Sequence, residues 1–150
     1  MKRTDYVHPV KESDLPQILS LLQLVQLPIE GVPEHVGDFI QITARGKRGG
    51  PILGCVGLEI YDGSALLRSL AVEPEHQGKG YGRELTAAIT EYARKRGVAV
   101  LFLLTSTAES FFAKVGFVRV ERETVPAAVK RSVEFKSACP MSAVCMMKRL

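Results

Sequence analysis

Three glycines at alternate positions, Gly78, Gly80 and Gly82, join an apolar stretch, Ala65 to Val72, to an amphipathic one, Gly82 to Arg96. No other pattern limits the possible folds of this chain as much. Glycine lacks Cβ, so the loop can take positive φ or let the main chain approach a ligand closely. It opens straight into a predicted helix, whose first N–H groups have no intrahelical partners and point outward with the positive end of the helix dipole. An anionic phosphate suits such a mouth, and Lys79 and Arg83 add positive charge beside it. The spacing reads G-x-G-x-G, not G-x-G-x-x-G, and G-x-x-x-x-G-K-[ST] does not occur. The residues therefore predict a pyrophosphate ligand held without a P-loop.

Composition narrows the class. At 150 residues, 46% apolar and 24% charged, the chain is expected to be one globular domain, 1–150, with its own core. The net charge of +4 comes from 20 basic and 16 acidic residues with no block of like charge. That excess suits an anionic cofactor and is too dispersed to imply nucleic acid. The longest apolar run, Val98 to Leu104, is too short to cross a bilayer, and Met1 to Asp5 leads into no signal-like segment. A soluble, cytoplasmic protein without membrane or nucleic-acid partners is the expectation, as a monomer or homodimer. Cys55, Cys139 and Cys145 form no C-x-x-C and, being odd in number, fit a reducing compartment.

Tyr6 to Val10 reads as extended. Ser13 is expected to cap a helix carrying Leu15, Ile18, Leu19, Leu22 and Val25, with Pro16 in its first turn and Pro28 ending it. A loop, Leu27 to Val36, follows, with a short helical turn at Pro33 to Val36. Phe39 to Ala44 and Ile52 to Ile60 read as strands joined at Gly46 to Gly50, whose basic tip is Arg45 to Arg48. A turn at Tyr61 to Ser64 continues the meander into Ala65 to Val72. After the central helix, Gly97 supplies a C-cap, and Val98 to Leu104 is apolar on both faces like a central strand. Thr107 is placed to cap a helix at Ala108 to Lys114, ended by Gly116. A strand at Phe117 to Glu121, a helix at Pro126 to Phe135 and a strand at Ala143 to Lys148 complete the chain. The class is α+β, with a mostly antiparallel sheet flanked by helices.

Gln77-Gly78-Lys79-Gly80-Tyr81-Gly82, preceded by Leu70-Ala71-Val72-Glu73-Pro74 and followed by Phe111-Phe112-Ala113-Lys114-Val115-Gly116-Phe117, resembles the GNAT superfamily of acetyl-CoA-dependent N-acetyltransferases. Gln77, Gly80 and Gly82 match its Q/R-x-x-G-x-G/A loop. The order of strand, proline, glycine turn, helix, strand, short helix and V-G-F carries the resemblance from Ala65 to Phe117. It implies the GNAT acyl-CoA N-acyltransferase fold, with acetyl-CoA as cosubstrate and no metal. It further implies that the strand before the loop parts from its neighbour. Backbone groups of Leu70, Ala71 and Val72 then meet the pantetheine arm and the thioester oxygen. Gln77 to Gly82, with Arg83, would hold the pyrophosphate.

Departures from the family pattern matter. Phe112 stands where the resemblance expects a tyrosine acid, and it cannot donate a proton. It reads as a wall of the pantetheine channel, leaving water, Ser110 or Thr107 for that role. The family's strand glutamate falls near Leu67, which is leucine. Glu59, between Leu58 and Ile60, is the candidate general base, since a carboxylate is costly to bury in an apolar strand; a surface position on the sheet is the alternative. Arg68, in an equally apolar run, either binds a substrate carboxylate through its planar fork or pairs internally with Glu59.

From Gly54 onward the pattern, including Val125-Pro126-Ala127-Ala128 and the tail from Cys139 to Met146, is also similar to a GNAT subgroup encoded with arsenic-resistance genes. That subgroup is similar in turn to short amino-acid N-acetyltransferases of the N-acetylglutamate synthase type. The resemblance implies acetyl transfer to the amine of a small amino-acid-like acceptor, in arsenic or toxic amino-acid resistance. A protein or antibiotic amine as acceptor, and a CoA-binding regulatory module without turnover, stay open. Arsenic capture by Cys139 and Cys145 is weaker than a buried strand thiol and a loop thiol, because soft-metal sites use closer or more numerous sulfurs.

Overall fold

A computed structural model of the protein describes residues 7–44 and 50–150. Tyr6 and the expected basic tip at 45–48 lie outside the described residues. The described strands are β1 (Val7–Pro9), β2 (Phe39–Thr43), β3 (Ile52–Tyr61), β4 (Ser64–Val72), β5 (Val100–Thr105), β6 (Val118–Arg119) and β7 (Val144–Arg149). They form one sheet in the order β1-β2-β3-β4-β5-β7-β6. Adjacent strands are antiparallel except β4 and β5. That parallel pair needs a long crossover, which α3 (Tyr81–Lys95) supplies.

Alternation along the central strands sends side chains to both faces. Leu67, Leu101, Leu103 and Met146 meet Leu85, Ile89 and Ala93 of α3, together with Phe112 of α4 (Glu109–Lys114). On the opposite face, Cys55 and Ala71 pack with Ile18, Leu21 and Leu22 of α1 (Leu15–Leu24) and with Val32 of α2 (Val32–His35). Leu66, Phe102 and Cys145 cluster with Val129 of α5 (Ala127–Lys130).

Local signals explain the ends of these elements, with corrections. Gly97 (φ 80°) closes α3 with Val98 N–H donating to Ala93 C=O and Gly97 N–H to Arg94 C=O, the two bonds of a Schellman cap. The two-residue turn Asp62–Gly63 puts Asp62 at φ 57°, a conformation Asp tolerates. Ser13 does not cap α1. It lies in a 3-10 turn, Glu12–Asp14, where Lys11 N–H donates to the Asp14 carboxylate, and Asp14 precedes the helix. The chain turns at Gln26 (φ 61°), ahead of Pro28. Thr105, not Thr107, serves α4: its Oγ1 accepts the Ala108 N–H at 2.9 Å. The expected strand at 117–121 is only the short edge strand β6. The expected helix at 126–135 is two pieces, α5 and a π-helical turn, Glu134–Ala138.

Candidate active site

The sheet opens beside β4. Its pairing with β5 covers Ser64–Val100, Ala65–Leu101 and Leu66–Phe102 and stops there, although both strands continue. The cause lies partly on the other edge of β4. Between the pairs Gly57–Arg68 and Cys55–Ala71, Ser69 and Leu70 oppose only Val56, and Ser69 takes φ 62°. This is a β-bulge, which bends a strand and increases its twist. A cavity of about 670 Å³ occupies the gap, lined by Leu67 to Val72, Leu103 to Ala108, Phe112 and residues of the α1–α2 connection and the C-terminal turn. Leu70 and Val72 lie on its wall. Ala71 does too, while being the cross-strand partner of Cys55.

The glycine loop sits at one end of this gap. Glu73 accepts from Glu75 N–H and pairs with His76 Nδ1 at 2.7 Å, fixing the turn Pro74–His76 that leads into it. Gln77, on the cavity wall, donates through Nε2 to Val72 C=O at 3.1 Å, tying the loop to the end of β4. Gly78 (φ 80°) and Gly80 (φ 91°) take the left-handed conformation, and Gly80 is the N-cap of α3. Gly80, having no side chain, makes no side-chain cap bond at the start of α3. Gly82 lies inside the first turn of α3, as expected of the helix from Gly82, and a Cβ there would stand 3.5 Å from the Phe111 ring. Lys79, Tyr81 and Arg83 belong to the same loop and first turn, with Lys79 and Arg83 exposed.

Facing the loop across the gap are apolar and hydroxyl groups. Phe112, buried and on the wall, stacks edge-on with Phe111 at 5.2 Å and Phe117 at 5.6 Å. Thr107 lines the cavity and Ser110 does not.

At the other end stands a buried charge cluster. Arg68 Nη1 donates to Glu59 Oε2 at 2.7 Å, Nε to Ser69 Oγ at 3.0 Å and Nη2 to Pro28 C=O at 3.4 Å. The same Nη2 lies 3.4 Å from Glu134 Oε2. The internal Arg68–Glu59 pair is therefore present. Arg68 touches the cavity with its fork already engaged, while Glu59, 1% exposed, is not on the wall. Burial raises the Glu59 carboxyl, but hydrogen bonds from Tyr61, Arg68 and Ser132 outweigh it and hold the group below the usual carboxylate range. Tyr61 and Arg68 thus engage one carboxylate oxygen of Glu59 each.

Glu134 is the group that sequence reasoning missed. It is 4% exposed, lies on the cavity wall, and burial pushes its carboxyl up to about 7. Its signal was present: a carboxylate between Val133 and Phe135, the same pattern that drew notice to Glu59. Burial likewise raises the thiols, Cys55 and Cys139 to about 12 and Cys145 upward, which argues against thiolate capture by the last two. Among the described residues, no group of three or more His, Cys, Asp or Glu could hold a metal ion, and no helix is long and apolar enough to cross a membrane.

Residues 41–119, more than half of the chain, match the family described as acetyltransferase (GNAT) domain. Among curated proteins, an uncharacterised N-acetyltransferase of Chlorobaculum tepidum is 29% identical over 123 residues, 81% of this chain and 74% of that protein. The amino-acid acetyltransferase of Pseudomonas fluorescens is 39% identical over 126 residues, 83% of this chain and 26% of that protein. The chain thus spans about a quarter of that longer relative. Among solved structures, N-acetylglutamate synthase from Neisseria gonorrhoeae, complexed with coenzyme A and N-acetyl-glutamate, shares the fold (TM-score 0.80, 24% identity, 96% of this chain and 34% of that one). A Mycobacterium tuberculosis protein solved in complex with CoA superposes equally well (TM-score 0.80, 25% identity, 96% and 98%).

Proposed function

The chain belongs to the GNAT acetyltransferase family, and from that premise we propose that it moves an acetyl group from acetyl-CoA to the amine of a small amino-acid-like acceptor. One observation carries this reading: the edges of β4 and β5 part after Leu66 into a cavity lined both by Gln77, which leads into the glycine loop before α3, and by Arg68 and Glu134 of a buried charge cluster. A long, thin cosubstrate with an anionic end fits between the two. In this reading the first-turn amides of α3, with Gln77 to Gly82 and Arg83, take the diphosphate. Backbone groups of Leu70, Ala71 and Val72 pair with the pantetheine arm as a further strand would, and Phe112 walls the channel. Leu70, at the bulge, is free of the β3 register and available to the thioester oxygen, where a fixed N–H stabilises developing negative charge.

The relatives support the acceptor class, since several are named amino-acid acetyltransferases. A cavity of about 670 Å³ with buried charged groups on its wall also suits a small polar molecule. The resemblance to acetyltransferases encoded with arsenic-resistance genes brings toxic amino-acid analogues into the panel.

The test is release of free thiol from acetyl-CoA with a panel of amino acids, amino-acid analogues, lysine peptides and aminoglycosides. Release is expected with one or more members of the first two groups. Release only with peptides or aminoglycosides would overturn the acceptor class. No release with any amine would leave a binding module.

A further inference from the structure

Building on the acyl-transfer reading above, we propose that Glu134 receives the acceptor's ammonium group in the cavity and takes its proton. Glu134 shares the cavity wall with Leu70 to Val72 and Phe112, so an acceptor lying against it faces the edge assigned to the thioester. It opens the π-helical turn Glu134–Ala138, a rare form of helix that is frequent at functional sites.

Charge balance supplies the second argument. One guanidinium, Arg68, meets two buried carboxylates. Its short bond goes to Glu59 Oε2 at 2.7 Å, within the range of a charge-assisted pair. Its contact with Glu134 Oε2 is 3.4 Å and comes from a nitrogen also directed at Pro28 C=O. Glu59 is further engaged on Oε1 by Tyr61 and by His35 Nε2 at 3.7 Å. The ionised Glu134 is thus the surplus negative charge of the cluster, met by Arg68 at longer range and by a hydrogen bond with Cys139. A cation of ammonium size complements it, and the cavity is the side from which one can arrive.

The groups facing Glu134 are Arg68 from β4, Glu59 from β3, Glu30 from the α1–α2 connection and Cys139 from its own turn. Burial raises its carboxyl to about 7; Arg68 and a Cys139 hydrogen bond lower it, and Glu59 and Glu30 raise it. A base with proton affinity near the working pH is the effective kind. The acceptor ammonium hands one proton to the Glu134 carboxylate. The freed nitrogen lone pair forms the C–N bond at the thioester carbonyl, and collapse of the tetrahedral adduct breaks C–S with the electron pair leaving on sulfur. The second nitrogen proton goes to that thiolate through water, giving the amide and free CoA, and Glu134 returns its proton to solvent.

The test is kcat/KM against pH for native protein, Glu134→Gln and Glu134→Asp with the amino acid that releases most thiol, alongside calorimetric CoA binding. Native kcat/KM is expected to rise with pH through a midpoint near 7 and then level. Glu134→Gln should fall about 10²- to 10⁴-fold and lose that limb with CoA affinity unchanged, while Glu134→Asp keeps the limb at reduced rate. A Glu134→Gln protein that keeps the native rate and limb overturns the proposal and leaves acetyl transfer standing. Loss of CoA affinity in both variants makes Glu134 structural and overturns it too. A native protein that releases no thiol overturns both readings.

Discussion

Arg68 is the residue on which the buried charges depend. Its side chain is fully buried and holds Glu59 directly and Glu134 at longer range. Removing one member of a buried ion pair leaves an uncompensated charge, which costs more than the pair contributes. Arg68→Leu should therefore lower unfolding free energy by about 3–5 kcal/mol in urea titration; a loss under about 1 kcal/mol would contradict this account of the cluster. Glu134 makes a prediction of opposite sign. Its carboxyl holds a proton up to about 7 in the folded protein against 4.5 ordinarily, so the folded state binds more protons in that window. This contribution to stability is therefore lost as pH rises from 4.5 to 7. Measured by thermal unfolding, Glu134→Gln should gain on the native protein through that window, ending ahead by about 1–3 kcal/mol near pH 8. A difference that stays flat with pH would contradict it.

At the scale of elements, the mouth of α3 and the bulge of β4 build the site, and they differ in how visible they were. Gly80 at φ 91° is an N-cap that only glycine adopts without strain. Gly80→Ala should cost about 1–2 kcal/mol of stability and weaken CoA binding modestly. Gly80→Glu carries the same strain and adds a negative charge where the diphosphate is placed. Its calorimetric CoA affinity should fall by a further factor of about 100 and recover partly at high salt; equal affinities for the two variants would mean that no anion binds there.

The glycine loop, α3 and the strands β3, β4, β5 and β7 were legible because periodicity and glycine spacing are local signals. The bulge at Ser69 was not, since it exists only in the register between β3 and β4, and L-R-S-L-A reads as an unbroken strand. The caps differ for a similar reason: Ser13 and Thr107 carry capping side chains, but Thr105 stands where the Ala108 N–H needs an acceptor, and Asp14, the N-cap of α1, accepts from Lys11 N–H instead of from the helix. The C-terminal helix is split between α5 and the π-helical turn that brings Glu134 to Arg68, a long-range contact that no local pattern announces. The Glu59–Arg68 pair was foreseen as one of two alternatives, while Glu134, the third member, carried the same local signal between Val133 and Phe135 and went unread.

On the scale of the whole molecule, helices cover both faces of the sheet and leave its split between β4 and β5 as the way in. The family relationship accounts for this architecture, and the charge cluster of Arg68, Glu59 and Glu134 lies beside the split. The central claim is that one cosubstrate lies along the split, anionic end at α3 and reacting end toward Glu134. A crystal structure of the protein grown with CoA tests it most directly. The account predicts density for the diphosphate against the amides of the Gly78–Gly82 loop and for the pantetheine arm between β4 and β5, with the thiol in the cavity. CoA bound elsewhere, or a split closed by β4–β5 pairing beyond Leu66 with CoA on the surface, would contradict it.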